Sequence, residues 1–174
     1  MKILVAYDSA HGSTQSIAER IEERIRQENV GDTTLSAITK TTSAEDFDVL
    51  IIGSAIHFQG WLKQSSTFVK RSQGYLHDNP KPTWAFSVGM PPDSGVAGEE
   101  KVMEKWLRKY ITLRGHKLFQ GEFKEKDLNG CFKFLLVRCF GQKFEDRRKW
   151  DQIEEWADSI VRELRVDLQT QAGN

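Results

Sequence analysis

Buried-type strand runs alternating with single-striped helices constrain this chain more than any other feature. KILVAY (Lys2 to Tyr7) is almost wholly apolar, as a strand covered on both faces must be. Ile17, Ile21 and Ile25 then recur every fourth position with Glu and Arg between them, which is a helix with one apolar stripe, expected to stop at Gly31. TTLSAI (Thr33 to Ile38) alternates weakly as a short, partly exposed strand, and DVLIIGSA (Asp48 to Ala55) is the strongest strand run. A helix over Leu62 to Leu76 follows, then the strand TWAFSVG (Thr83 to Gly89), fenced by Pro80, Pro82, Pro91 and Pro92. A helix from about Gly98 to Leu113 and a fifth strand, HKLFQGEF (His116 to Phe123), come next. The last helix, Arg147 to Leu164, carries Trp150, Ile153, Trp156, Ala157, Ile160 and Leu164 on one face, and residues 167–174 are expected to fray.

Five strands separated by helices predict an α/β fold in which a doubly wound parallel sheet has helices on both faces. The 174 residues suit one domain, expected over 1–166, with an extra segment at 124–144 interrupting the rhythm. Twenty-five basic residues balance twenty-five acidic ones, so no global field attracts nucleic acid, and none is expected as a partner. The longest apolar runs, such as VLII, fall far short of the roughly 20 residues that span a bilayer, and the first strand begins at Lys2, where a signal peptide would lie. Cys131 and Cys139 have neither CxxC nor Cys/His metal spacing, so no metal site is expected and a reduced, cytoplasmic protein is.

In a doubly wound sheet, ligands bind beyond the carboxyl ends of the strands, where the strand order reverses. SAHGST (Ser9 to Thr14) occupies that place after the first strand. A helix starting near Ser13 or Thr14 leaves several N–H groups without intrahelical acceptors, and their partial charge favours an anion. Gly12 permits close backbone approach, while Ser9, Ser13 and Thr14 add hydroxyl donors. Each hydrogen bond to a charged group contributes roughly 1.5–3 kcal/mol. Four or five approach the roughly 12 kcal/mol of nanomolar binding. With no lysine or arginine in the loop, the pattern suits a phosphate monoester held by dipoles and hydroxyls. The plainer alternative is that Ser13 caps an ordinary helix. Walker and GxGxxG loops are absent.

The third strand runs into GSAIHFQGW (Gly53 to Trp61), where Gly53, Ser54 and Ala55 are small enough to admit a flat ring. His57, Phe58 and Trp61 then offer rings for stacking, or Phe58 and Trp61 pack beneath the next helix. The fourth strand runs into SVGMPPDSGVAG (Ser87 to Gly98), whose backbone groups can read a heterocycle's polar edge. Asp93 there is expected to cap a turn or the following helix.

The S-x-x-G-x-T loop and the two loops that follow it resemble the FMN site of the flavodoxin-like fold, whose strand order 2-1-3-4-5 and FMN at the switch point are general features of that fold. The likeness spans almost the whole chain. VLIIGSAIHFQGWLKQSSTFVK, the extra segment and FEDRRKWDQIEEWADSIV further resemble the flavodoxin-domain family that includes the menaquinone-dependent protoporphyrinogen oxidases. The resemblance implies phosphate contacts at Ser9, Ala10, His11, Gly12, Ser13 and Thr14, and ring contacts at Ser54, Ala55, Ile56, His57, Ser87, Val88 and Gly89.

It also implies a choice between carrier and enzyme. Flavodoxins that shuttle single electrons have acidic surfaces and cover the flavin with aromatics from both ring loops. This chain is neutral, and SVGMPPDSG holds no aromatic, which leaves one ring face open to an organic substrate. An FMN-dependent oxidoreductase acting on a conjugated or quinone-type molecule is therefore expected, with a one-electron carrier docking on a redox partner protein as the alternative. His57 is the candidate for proton handling; otherwise it bonds a backbone carbonyl or lies over the ring edge. The segment KEKDLNGCFKFLLVRCFGQKFEDRRK is apolar on more than one face, so residues 131–144 are expected to cover the core, contact another subunit or rest on a membrane surface.

Overall fold

The computed structural model describes residues 1–58, 60–122 and 145–172. Five parallel strands form the sheet in the order β2-β1-β3-β5-β6, where β1 is Lys2–Asp8, β2 Asp32–Ala37, β3 Val49–His57, β5 Thr83–Gly89 and β6 Gly115–Gln120. Counting parallel strands alone, this is the expected 2-1-3-4-5 order. The additional strand β4 (Gly60–Trp61) turns back antiparallel on the end of β3, a hairpin too short for any periodicity to announce. The helices are α1 (Ser13–Gln27), α2 (Lys63–Asp78), α3 (Val96–Leu107) and α4 (Trp150–Ala172).

Side chains alternate across a strand, so each apolar run supplies both faces. Ile3, Val5, Val49, Ile51, Trp84 and Phe86 face α1 and α4, where they meet Ile17, Ile21, Ile25, Ile153 and Ile160. Leu4, Ala6, Leu50, Ile52 and Ala85 face α2 and α3, meeting Phe68, Val69, Met103 and Leu107. Gly53 belongs to the first face. A Cβ there would lie 2.0 Å from the ring of Phe86, so this glycine makes room for a core phenylalanine rather than for a ligand.

Several boundaries differ from expectation. Helix α1 ends at Gln27, and Asn29 takes the left-handed conformation (φ 51°) that Gly31 was expected to supply. Helix α3 stops at Leu107; Ile111 and Leu113 turn into the core instead, and Arg108 donates to the Leu113 carbonyl at 2.8 Å. Helix α4 continues to Ala172, through residues expected to fray, and is tied back to the domain by Arg114–Asp167 at 2.6 Å. The start of α2 lacks a side-chain cap of its own. The Asp8 carboxylate, at the end of β1, accepts from Ser65 N–H at 3.0 Å and fixes that helix to the ligand-binding edge.

The extra segment's residues 124–144, both cysteines, Phe123, Gln59 and the final two residues lie outside the described residues. No helix among the described residues is long and apolar enough to cross a membrane.

Candidate functional site

Beyond the carboxyl ends of β1, β3 and β5 lies a cavity of about 260 Å³. Its first wall is the β1–α1 loop, with Ser9, Ala10, His11, Ser13 and Thr14. Gly12 is the turning point: its φ of 88° suits glycine, and as the residue before α1 it accepts from Ser16 N–H at 3.0 Å. The N–H groups of Ser13, Thr14 and Gln15 precede that first helical bond.

The hydroxyls divide the work. Ser9 Oγ accepts from Gly12 N–H at 3.0 Å, bracing the loop, and keeps its own proton to offer. Ser13 Oγ accepts from Glu122 N–H at 2.8 Å rather than capping α1, which sets aside the plainer reading of this serine. Thr14 is only 1% exposed, and its Oγ1 has no hydrogen-bond partner among the described residues. A buried hydroxyl without a partner costs about 1–3 kcal/mol, so an acceptor brought by a ligand would offset that cost.

The second wall is Ala55, Ile56 and His57, at the end of β3. His57 is exposed, with no hydrogen bond at either ring nitrogen among the described residues. Its ring meets that of Phe58 edge-on, centroids 4.5 Å apart. Phe58 sits at the hairpin tip with φ 48° and is 88% exposed, so it does not pack beneath the next helix. Trp61 does: it is buried and donates from Nε1 to Ser87 Oγ at 2.8 Å.

The third wall is Val88, Gly89 and Met90. Ser54 and Ser87, both expected at the ring, are not in the cavity lining. Paired across β3 and β5, they point into the α2–α3 side of the sheet. Ser54 Oγ accepts from Leu62 N–H at 3.1 Å and lies 2.7 Å from Ser65 Oγ. Ser87 Oγ lies 2.8 Å from His116 Nε2. Burial pushes the His116 pKa down to about 4, and its Nδ1 has no hydrogen-bond partner among the described residues. Asp93 caps nothing: its carboxylate accepts from Gln120 Nε2 at 2.8 Å, tying the third loop to β6.

Met90, Gly121 and Glu122 complete the cavity and were not singled out from sequence. A Cβ on Gly121 would lie 2.8 Å from Ser13 Oγ and 3.0 Å from Val88 Cγ1, so the missing side chain lets β6 close against the first loop. Glu122 is matched by Arg148 at 2.9 Å, which also holds Asp146 and donates to Ser16 Oγ at 2.7 Å. Glu122 also bridges to Asp146, so the chain on either side of residues 123–144 meets at the cavity rim. Among the described residues no lysine or arginine lines the cavity.

These residues fit FMN. The orphaned Thr14 hydroxyl, the Ser9 and Ser13 protons and the first-turn amides suit its phosphate, while Ala55 and Gly89 leave room at the ring end. Solved structures of the same architecture include a flavodoxin from the domain Archaea, with 16% identity, 95% of this chain and 99% of that chain covered, and a TM-score of 0.57. A WrbA-like flavodoxin from Agrobacterium tumefaciens has 16% identity over 94% of this chain and 97% of that one, at TM-score 0.61. Rubredoxin oxygen:oxidoreductase from Desulfovibrio gigas reaches TM-score 0.64 at 21% identity, with 96% of this chain matching 37% of that longer one. A comparison with curated proteins gives no match. Residues 4–139 match the model of the flavodoxin domain, well over half of the sequence and all three ligand-facing loops. The chain belongs to the flavodoxin domain family.

Proposed function

We propose that this protein is an FMN-dependent oxidoreductase acting on a conjugated or quinone-type organic molecule, as its resemblance to protoporphyrinogen and quinone oxidoreductases suggests. FMN is the cofactor of the flavodoxin family, and when bound it supplies hydride or electron exchange. The observation that carries the enzyme reading is the third wall: among the described residues, Val88, Gly89 and Met90 bring no aromatic ring to the cavity, which suits a ring face accessible to a small molecule.

The chain's own contribution is positioning and proton control. Ser9, Ser13 and Thr14 line one wall of the cavity, where their hydroxyls would hold the phosphate of FMN, and His57 lines another, where it would face the rest of the ligand. The His57 ring nitrogens carry no competing hydrogen bond among the described residues, so either can take or deliver a proton at the cavity mouth. The segment 131–144 is proposed as the contact to core, subunit or membrane that its apolar sequence calls for.

The second reading, a one-electron carrier, is favoured by Phe58, whose exposed ring at the hairpin tip suits contact with a redox partner protein. Anaerobic photoreduction of the FMN-loaded protein, followed by mixing with quinones and with electron-accepting proteins, distinguishes the two. Fast reoxidation by quinone in one two-electron event supports the enzyme. Slow quinone reaction together with fast stepwise transfer to a protein acceptor rejects it in favour of the carrier.

A further inference from the structure

Away from the cavity described above, α2 and α3 flank a groove of about 540 Å³ whose lining includes Trp61, Met103 and Trp106. The two tryptophan rings lie 6.0 Å apart, and Trp106 meets Tyr110 edge-on at 5.4 Å. Three lysines converge on the same groove: Lys70 from α2, Lys105 from α3 and Lys109 from the turn that follows α3. Lys101 and Lys105 lie four residues apart on one face of α3, and Lys109 follows in the turn after the helix.

None of these four lysines forms an ion pair among the described residues. The nearby carboxylates are engaged elsewhere, Glu104 with Arg108 at 2.7 Å and Glu100 with Lys117 at 3.7 Å. Lys70 has only the face of Tyr110, 5.6 Å from its Nζ. In a chain whose formal charge sums to zero, these four lysines without an ion pair among the described residues outnumber the carboxylates beside them, Glu100 and Glu104.

The extent of this surface decides what it fits. Lys105 and Lys109 also line a second concavity of about 460 Å³ with Lys101 and the Glu104–Arg108 ion pair, so three lysines without an ion pair among the described residues extend the surface past the tryptophans. Val102, 59% exposed, adds apolar surface beside it. Aromatic residues ringed by charge are the composition of protein-binding surfaces, where an apolar anchor is buried and polar contacts surround it.

We propose that the α2–α3 groove docks an acidic segment of a partner protein, with an apolar side chain of that segment seated against Trp106 and Val102 and its carboxylates on Lys70, Lys101, Lys105 and Lys109. The proposal is independent of the flavin assignment, because none of these residues lines the FMN cavity. The groove and the cavity share only the β3–β4 hairpin, with His57 on one side paired to Gly60 on the other. A partner seated here would therefore sit beside the mouth of the redox site.

The probe is a fluorescein-labelled synthetic peptide of glutamates around a central Leu-Phe pair, titrated with the full chain by fluorescence anisotropy at about 0.05 M salt. Saturable binding is expected, weakened about tenfold or more by K105E/K109E and again by salt near 0.5 M. W106A should also weaken it, whereas R162E, on the opposite helical layer, should have a much smaller effect. Circular dichroism and FMN affinity of each variant report whether it remains folded, and only folded variants are scored. Absence of saturable binding overturns the proposal. So does equal binding to K105E/K109E, equal binding of a peptide with lysine in place of glutamate, or binding of anthraquinone-2-sulfonate as tight as that of the peptide, which would make the groove a small-anion site.

Discussion

Replacing Thr14 by valine separates ligand recognition from folding, because the two effects should have opposite signs. The Thr14 hydroxyl is buried without a partner among the described residues, and valine has nearly the same shape without the hydroxyl. In the ligand-free protein the change removes an unsatisfied polar group, which costs about 1–3 kcal/mol where it stays dry, against a loss of little packing. The free chain should therefore gain up to about 1 kcal/mol, or about 2–4 °C in Tm for a domain of this size. With FMN, the same change removes a hydrogen bond to a charged group. That loss is about 1.5–3 kcal/mol, or about 10- to 150-fold in Kd.

Thermal unfolding of the flavin-free chain measures the first effect, and quenching of flavin fluorescence on titration measures the second. Riboflavin, which lacks the phosphate, is the control and should bind T14V and wild type alike. A destabilised free protein with unchanged FMN affinity would refute the reasoning, since Thr14 would then be satisfied internally and irrelevant to the anion. Equal losses for riboflavin and FMN would refute it in another way, by placing Thr14 at the ring.

Other substitutions test the remaining links. H57F should retain FMN but slow turnover with quinone, measured by stopped-flow absorbance; unchanged turnover removes His57 from proton handling. G53A drives a Cβ into the Phe86 ring, for which overpacking costs of about 3 kcal/mol or more apply, and a Tm shift below that of an ordinary surface variant would contradict the packing. Burial holds His116 neutral to about pH 4, below its unfolded value of 6.5, so the unfolded chain binds more protons between these values. Stability from this group is complete above about pH 6.5 and declines by on the order of 3 kcal/mol as pH falls toward 4. Urea midpoints across that range should show a smaller decline in H116Q than in wild type.

The site was legible to different depths. The first loop could be read because its signals are local: a strand end, a glycine and hydroxyls before a helical stripe lie within seven residues. Its inner assignments were not, since Ser13 is bound by Glu122 from more than a hundred residues away. The resemblance implied ring contacts at Ser54 and Ser87, but the strand pleat turns both side chains toward α2 and α3. Gly53 looked like space for a ligand until Phe86 was found across it.

By itself, then, the sequence determined the parallel α/β sheet and the three loops that follow its strands, while crossover handedness limited the topologies to a few and the strand order came from the resemblance to the flavodoxin-like fold. The sheet and its loops follow from periodicity and turn chemistry within a few residues of each other. Only the tertiary structure decided which hydroxyls remain unspent, which glycines serve the core, that Met90, Gly121 and Glu122 close the cavity, and that lysines of α2 and α3 meet over two tryptophans. Each of these depends on which distant side chain lies opposite, a matter of packing and register that local pattern does not encode.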